Sequence, residues 1–210
     1  MQFRTLQRLL LPVRCVFCGV RCHLHEASIC DHCLADLPWH AELCDTPHAP
    51  LDCVAAPLAY AFPVDAALKA LKFRRRLEYV PCLGSLLRHS LAQLPDDIDA
   101  LLPMPLHWRR QAMRGFNQAW ELSKPIRKHT GLPLLAGVRR VRATSFQSGL
   151  DAAARKRNLH NAFAVEKPVQ ALHVLIVDDV ITTGESCRQL AKALLTAGAA
   201  KVSALAVART

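Results

Sequence analysis

From residue 51 onward, apolar and polar positions alternate in blocks whose period switches between that of a strand and that of a helix. Leu51 to Phe62 is apolar and contains a proline, which predicts an edge strand. Val64 to Phe73 and Tyr79 to Leu94 carry helical spacing. Ile98 to Leu106 is a short apolar run broken by Pro103 and Pro105. His107 to Thr130 is a long basic helical pattern, expected to break before Pro125 and closed by Gly131. Leu172 to Val177 is dominated by Val, Ile and Leu, as a strand buried on both faces would be. An amphipathic helix over Gly184 to Ala197 follows, stopped by Gly198, and Val202 to Ala208 reads as a closing strand. Strand, helix and strand at this spacing predict an α/β fold, a parallel sheet with flanking helices.

The first 50 residues follow a different pattern. They hold most of the nine cysteines and half of the ten histidines, and Thr46-Pro-His-Ala-Pro50 reads as a linker. We therefore divide the chain into a small module with its linker, residues 1–50, and a larger domain, residues 51–210. Cys15-x2-Cys18 and Cys30-x2-Cys33 form two knuckles eleven residues apart. Four thiolates so paired close a tetrahedral site for structural Zn2+ of the zinc-ribbon kind. Cys22, His23, His25 and His32 lie within or beside that loop and read as bystanders. Loss of the metal is expected to loosen residues before about 45 and to spare the larger domain. Cys82 and Cys187 fall in apolar helical surroundings and read as small buried hydrophobes.

Composition narrows the partners. Half the residues are apolar, enough for a core, and the net charge is +10, mostly from arginine, which favours anionic ligands. The apolar run Leu9 to Val13 is too short for a secretory segment, and no stretch approaches the roughly 20 apolar residues of a membrane span. Clustered thiols and the lack of a secretory signal lead us to expect a cytoplasmic protein.

Candidate chemistry concentrates after the apolar run. Asp178 and Asp179 follow it directly, which places a charge pair at the carboxyl edge of the sheet, where ligands bind in open α/β folds. Thr182, Thr183, Gly184, Glu185 and Ser186 come next, before a helix. Glycine lets backbone fold around an anion, and hydroxyls and amides at a helix start are donors to it. Carboxylates for sugar hydroxyls beside a phosphate cradle describe a ribose 5-phosphate site. The same residues also fit a magnesium site followed by an ordinary capping segment.

Basic clusters recur at Arg74 to Arg76, at Arg109, Arg110 and Arg114, at Arg139, Arg140 and Arg142, and at Arg155 to Arg157. Trp108, Phe116 and Trp120 interleave with the second. Arginines among aromatics are what single-stranded nucleic-acid binders use. The four-residue spacing of Phe116 and Trp120 is also that of a core-facing helical pair, and we assign those two to the core.

The run Val174-Leu-Ile-Val-Asp-Asp-Val-Ile-Thr-Thr-Gly-Glu-Ser186 resembles the PRPP motif of type I phosphoribosyltransferases. Together with Leu71-Lys-Phe73, Arg114-Gly-Phe-Asn-Gln118, Ser148-Gly-Leu150 and Arg155-Lys-Arg-Asn158, it makes the chain similar to the ComF family from about residue 15 to 209. The resemblance implies a type I phosphoribosyltransferase-like domain behind a zinc module. It implies that Asp178 and Asp179 bind the ribose hydroxyls of PRPP, brought with Mg2+, and that Thr182 to Ser186 hold the 5-phosphate. Pro103-Met-Pro105 with Arg109, Arg110 and Arg114 would take the place of the pyrophosphate loop, Arg142 to Asn158 that of a mobile flap, and Lys72 would be a further phosphate candidate. Many relatives carry a second pair of knuckles, whereas this chain keeps only Cys44 and Cys53, with His48 between them. The family also implies a part in DNA uptake and competence, with single-stranded DNA and DNA-uptake proteins as partners. Two classes follow: a phosphoribosyltransferase releasing pyrophosphate, or a nucleic-acid handling protein that keeps the fold. No acceptor-base site and no catalytic residue are legible.

Overall fold

A computed structural model describes residues 13–22, 28–40, 44–45, 49–142 and 162–210. Its centre is a pair of long parallel strands. We number strands and helices in chain order. The short helix α1 (Asp31–Ala35) precedes three two-residue strands, β1 (Cys44–Asp45), β2 (Val54–Ala55) and β3 (Leu58–Ala59). Helices α2 (Val64–Arg74) and α3 (Tyr79–His89) lead to β4 (Ala100–Pro103). Helices α4 (Trp108–Arg114) and α5 (Gln118–Thr130) are followed by β5 (Val138–Arg140) and β6 (Phe163–Val165), an antiparallel pair. The chain ends in β7 (His173–Ile181), α6 (Glu185–Thr196) and β8 (Lys201–Arg209). The main sheet runs β1-β2-β8-β7-β4, with β3 also on β8, and every pairing is parallel except that of β1 with β2.

A strand buried on both faces sends alternate side chains to opposite layers. In β7, Leu175 and Val177 join the layer of α2 and α3 with Leu68, Leu71, Leu83 and Leu86. Val174 and Ile176 join the layer of α6 with Cys187, Leu190 and Leu194. β8 divides likewise, Leu205 and Val207 against Val202, Ala204 and Ala206. Helix α2 buries Val64, Ala67, Leu68 and Leu71, a single stripe at helical spacing. The expected α/β fold is present, and Cys82 and Cys187 are buried as expected.

Three local expectations change. β7 runs four residues beyond Val177, through the acidic pair to Ile181, because β8 continues to pair with it at Ala206, Ala208 and Arg209. The long basic pattern breaks at Gly115 rather than before Pro125: Gly115 ends α4 at φ 77°, and Asn117 caps α5 by accepting from Ala119 and Trp120 amides. Pro125 sits inside α5, its ring against Gly84 of α3, where an added Cβ would lie 2.6 Å from it. Phe116 therefore precedes α5 and shares no helical face with Trp120, which is 44% exposed.

The N-terminal module shares the core. Cys15, Cys22, Ile29 and Leu37 belong to the same buried cluster as Leu83 and Leu86 of α3, and Phe17 and Tyr79 pack with ring centroids 6.2 Å apart. At the amino edge of the sheet, His173 bridges Asp97 (2.6 Å) and Ser203 (2.9 Å), and Lys201 donates to Asp97 at 2.8 Å. Ser203 is fully buried, so this chain of polar groups staples β7 to β8 and presents no reactive hydroxyl.

Candidate functional site

The period of two that builds the core also splits the acidic pair. β4 stops at Pro103, opposite Val177, so Asp178 and Asp179 extend past their neighbour on that side. Asp179 continues the α2 side of β7, and there the ammonium of Lys72 pairs with its Oδ2. The Asp179 side chain is only 4% exposed and Lys72 is 22% exposed, so this is a largely desolvated ion pair. Asp178 continues the α6 side; its Oδ1 accepts from the Asp179 amide at 2.8 Å. Burial, then the adjacent Asp179, push the Asp178 carboxyl well above the usual range, with Lys72 pulling the other way.

The following loop is open. Thr182 and Thr183 are exposed, and Gly184 takes φ 70° at the head of α6, where Thr183 Oγ1 accepts from the Glu185 amide at 3.5 Å. Arg188 reaches back to donate to the Thr183 carbonyl at 2.7 Å and to Glu185 Oε2 at 2.9 Å, while Gln189 donates to the other Glu185 oxygen. Glu185 therefore ties the first turn of α6 to Arg188 and Gln189. Ser186 is half-buried beside it.

Of the three candidate arginines after Pro105, two are half-buried and one is exposed. Arg110 is half-buried, and burial followed by neighbouring Arg114 lowers its guanidinium from the usual value. Arg114 stacks over Phe73 at 5.6 Å and donates to Gln118, whereas Arg109 lies outside, over the Trp108 ring at 5.3 Å. A further inward cation is Arg140, which in the sequence belongs to the basic cluster with Arg139 and Arg142. It is 9% exposed, and its guanidinium is lowered by burial and by Arg110 and favoured by Asp178. The backbone bridge between Arg140 and His107 carries β5 to the start of α4 and explains the placement. No local pattern encodes that contact. Asn117 Nδ2 donates to the Met104 carbonyl at 3.0 Å, tying the Pro103-Met-Pro105 segment to α5. Of the segment expected to act as a flap, residues 143–158 and the motif residues within them lie outside the described residues, as do His23, His25 and His48.

The four knuckle cysteines converge. The Sγ atoms of Cys15, Cys18, Cys30 and Cys33 all lie within 4.8 Å of one another, and Cys18 and Cys30 are 3.7 Å apart. A tetrahedron with metal–sulfur bonds of about 2.3 Å has edges of about 3.8 Å, so the cluster could hold a metal ion. Backbone amides of Cys18, Cys30 and Phe17 outweigh burial and bring the Cys15 thiol down to about 6. Cys22 is buried outside the set, and His32 pairs with Asp36 at 3.4 Å. Cys53 is disulfide-bonded, which its sequence context did not announce.

A cavity of about 830 Å³ opens between α4, the start of α5 and β5, lined among others by Trp108, Phe116, Trp120, Glu121, Arg139 and Arg140. On the other flank of α4, Arg75 donates to the Met113 carbonyl at 3.5 Å and packs over Gly115. That contact joins the Arg74–Arg76 cluster to the second basic cluster. The seam between them exposes Phe73 (71%) and Met113 (77%).

The chain is 36% identical over 228 residues to the DNA utilization protein YhgH of Salmonella typhimurium, covering 96% of this chain and 99% of that one. It is 30% identical over 227 residues to Competence protein F of Haemophilus influenzae, covering 93% and 96%. The chain belongs to the ComF family. Within the family it is also 43% identical over 161 residues to YhgH of Escherichia coli K12, covering 72% of this chain and 69% of that one. No protein-family model matches. Among solved structures it is similar to a glutamine PRPP amidotransferase from B. subtilis complexed with ADP and GMP, at 19% identity and a TM-score of 0.42. That alignment covers 66% of this chain and 30% of the other. An asparagine mutant from work on an invariant aspartic acid in HPRTs matches at 15% identity and a TM-score of 0.32, over 63% of both chains. Among the described residues no helix is long and apolar enough to cross a membrane.

Proposed function

We propose that this ComF-family protein binds PRPP, or a related ribose 5-phosphate ligand, and serves DNA utilisation or competence as its relatives' names describe. The observation that supports the reading is the geometry after Val177. Two carboxylates stand past the end of β4, one turn before a helix headed by Gly184 in the left-handed region. Ribose hydroxyls donate to the carboxylates, and the 5-phosphate completes the α6 terminus, with the hydroxyls of Thr182, Thr183 and Ser186 around it. Arg110 and Arg140 supply positive charge on the Asp178 side, where a pyrophosphate with Mg2+ would lie. If a group is transferred, catalysis comes from positioning and from stabilising charge on the leaving pyrophosphate. The knuckle cysteines take one structural Zn2+.

A ligand that binds only the folded chain stabilises it by RT ln(1 + [L]/Kd), about 2.7 kcal/mol at a hundredfold excess over Kd. For a chain of this size that raises the melting temperature by about 5 to 10 °C. PRPP with Mg2+ is expected to produce the shift, and Asp178→Asn with Asp179→Asn to fold and lose most of it. An identical response of wild type and variant over a wide PRPP range excludes the acidic pair as a ribose site.

A second reading is carried by the exposed seam of Phe73 and Met113 among arginines from two distant segments. Stacking surfaces between phosphate-binding cations suit single-stranded nucleic acid, in the cytoplasm or wherever the chain meets it. Affinity for a single strand is expected to fall steeply with salt, and Arg109→Ala with Arg110→Ala to flatten that slope. No binding at low salt removes direct nucleic-acid handling from the function.

A further inference from the structure

The ion pair between Lys72 and Asp179 gives the acidic pair a property that neither carboxylate has alone. Two adjacent carboxylates at a strand end suit a divalent cation as readily as they suit sugar hydroxyls. Here each faces a fixed positive group. Lys72 comes off α2, a helix anchored by Val64, Ala67, Leu68 and Leu71, and its ammonium contacts Asp179 Oδ2. Arg140 acts on Asp178 from the other face of the strand, with Arg110 behind it. The ammonium stands against the oxygen that an incoming cation would need, and it repels that cation at short range in a site with little water. A hydroxyl carries no charge, so it meets no such repulsion and still finds acceptor lone pairs, because one ammonium donor occupies only part of a carboxylate's capacity.

We propose that Lys72 is the specificity residue of this site: it bars divalent cations from the acidic pair and reserves Asp179 for hydroxyl groups of a sugar. The proposal deepens the reading of Asp178 and Asp179 as ribose-hydroxyl acceptors and rests on it. Lys72 then has a defined task apart from any phosphate contact. Its place beside Leu71 on α2 follows from it, since that flank of the helix looks onto the odd-numbered residues of β7. Any Mg2+ that accompanies PRPP is held by the pyrophosphate and not by this pair.

The experiment titrates Mn2+ alone, followed by the loss of free-ion EPR signal, into wild type, Lys72→Met, Lys72→Arg and Lys72→Met with Asp179→Asn. A parallel titration uses ribose 5-phosphate without metal. Lys72→Met is expected to bind Mn2+ about tenfold or more tightly than wild type, because it removes a like charge at short range from the cation. The gain should vanish in the double variant, and Lys72→Arg should exclude Mn2+ as wild type does. Ribose 5-phosphate should bind Lys72→Met more weakly than wild type, so the preference for sugar over cation collapses. Equal Mn2+ affinity in wild type and Lys72→Met overturns the proposal, as does a gain that survives Asp179→Asn. If wild type fails to bind ribose 5-phosphate while the Mn2+ results hold, the ribose reading fails and the cation-barring role of Lys72 stands. Thermal melts check folding of each variant, and Lys72→Gln replaces Lys72→Met as the neutral form if the latter does not fold.

Discussion

Gly184 is the residue on which the proposed phosphate cradle turns, and replacing it with alanine tests that role quantitatively. It sits at φ 70°, in the left-handed region, at the head of α6. An L-residue there costs about 1–2 kcal/mol. An added Cβ would lie 3.1 Å from Arg188 Nη1 and 3.8 Å from Ile181 Cγ2. The arginine head can move aside, at the expense of its bonds to Thr183 O and Glu185, which as a part-exposed group are worth about 0–1 kcal/mol. The total, about 1–3 kcal/mol, corresponds to a fall of roughly 2 to 12 °C in melting temperature at this chain length. Melting is followed with and without ribose 5-phosphate. Gly184→Ala should fold, melt lower and lose the ligand's stabilisation, because the strained turn relaxes away from the geometry that gathers donors on the phosphate. Gly184→Asn, which tolerates the left-handed region better, should melt between the two. A Gly184→Ala chain that melts within about 1 °C of wild type and keeps its full ligand response refutes the argument, since the backbone there would then need neither glycine nor its conformation.

Two further outcomes are expected. The purified protein should carry about one zinc; Cys30→Ser and Cys33→Ser should each lower it in metal analysis, and undiminished zinc in both would exclude this ligand set. Lys201 and then His173 hold the Asp97 carboxyl down to about 2, against about 3.9 in an unfolded chain, so its contribution is present above about pH 4 and lost as pH falls toward 2. In melts across pH, Asp97→Asn should be less stable than wild type at pH 6, and the gap should narrow below pH 4; a gap that is constant with pH would contradict the pairing.

What could be read from sequence was what lies close along the chain. The apolar run before Asp178 gave the central strand and the edge at which the site stands, because burial on both faces leaves a composition few other elements share. The end of that strand was placed four residues early, since a charge pair reads as a stop. The backbone of Asp178 and Asp179 stays paired with β8 while the side chains are met by Lys72 and Arg140. Those partners come from α2 and β5, and only the tertiary fold joins them. Trp120 was misjudged for a local reason: a spacing of four signifies one face only within one helix, and Asn117 starts a new one. Pro125 was expected to interrupt a helix, yet Gly84 makes room for its ring between α3 and α5.

The buried cluster that Cys15, Cys22, Ile29 and Leu37 share with α3 means that the cysteine-rich segment is no bead on a string. A shortened chain beginning at residue 51 would bare the α3 face that these side chains cover and invite self-association. Evolution cannot trade the segment for an unrelated one without recutting that face. A metal held by the four cysteines would accordingly brace α3 as well as its own segment.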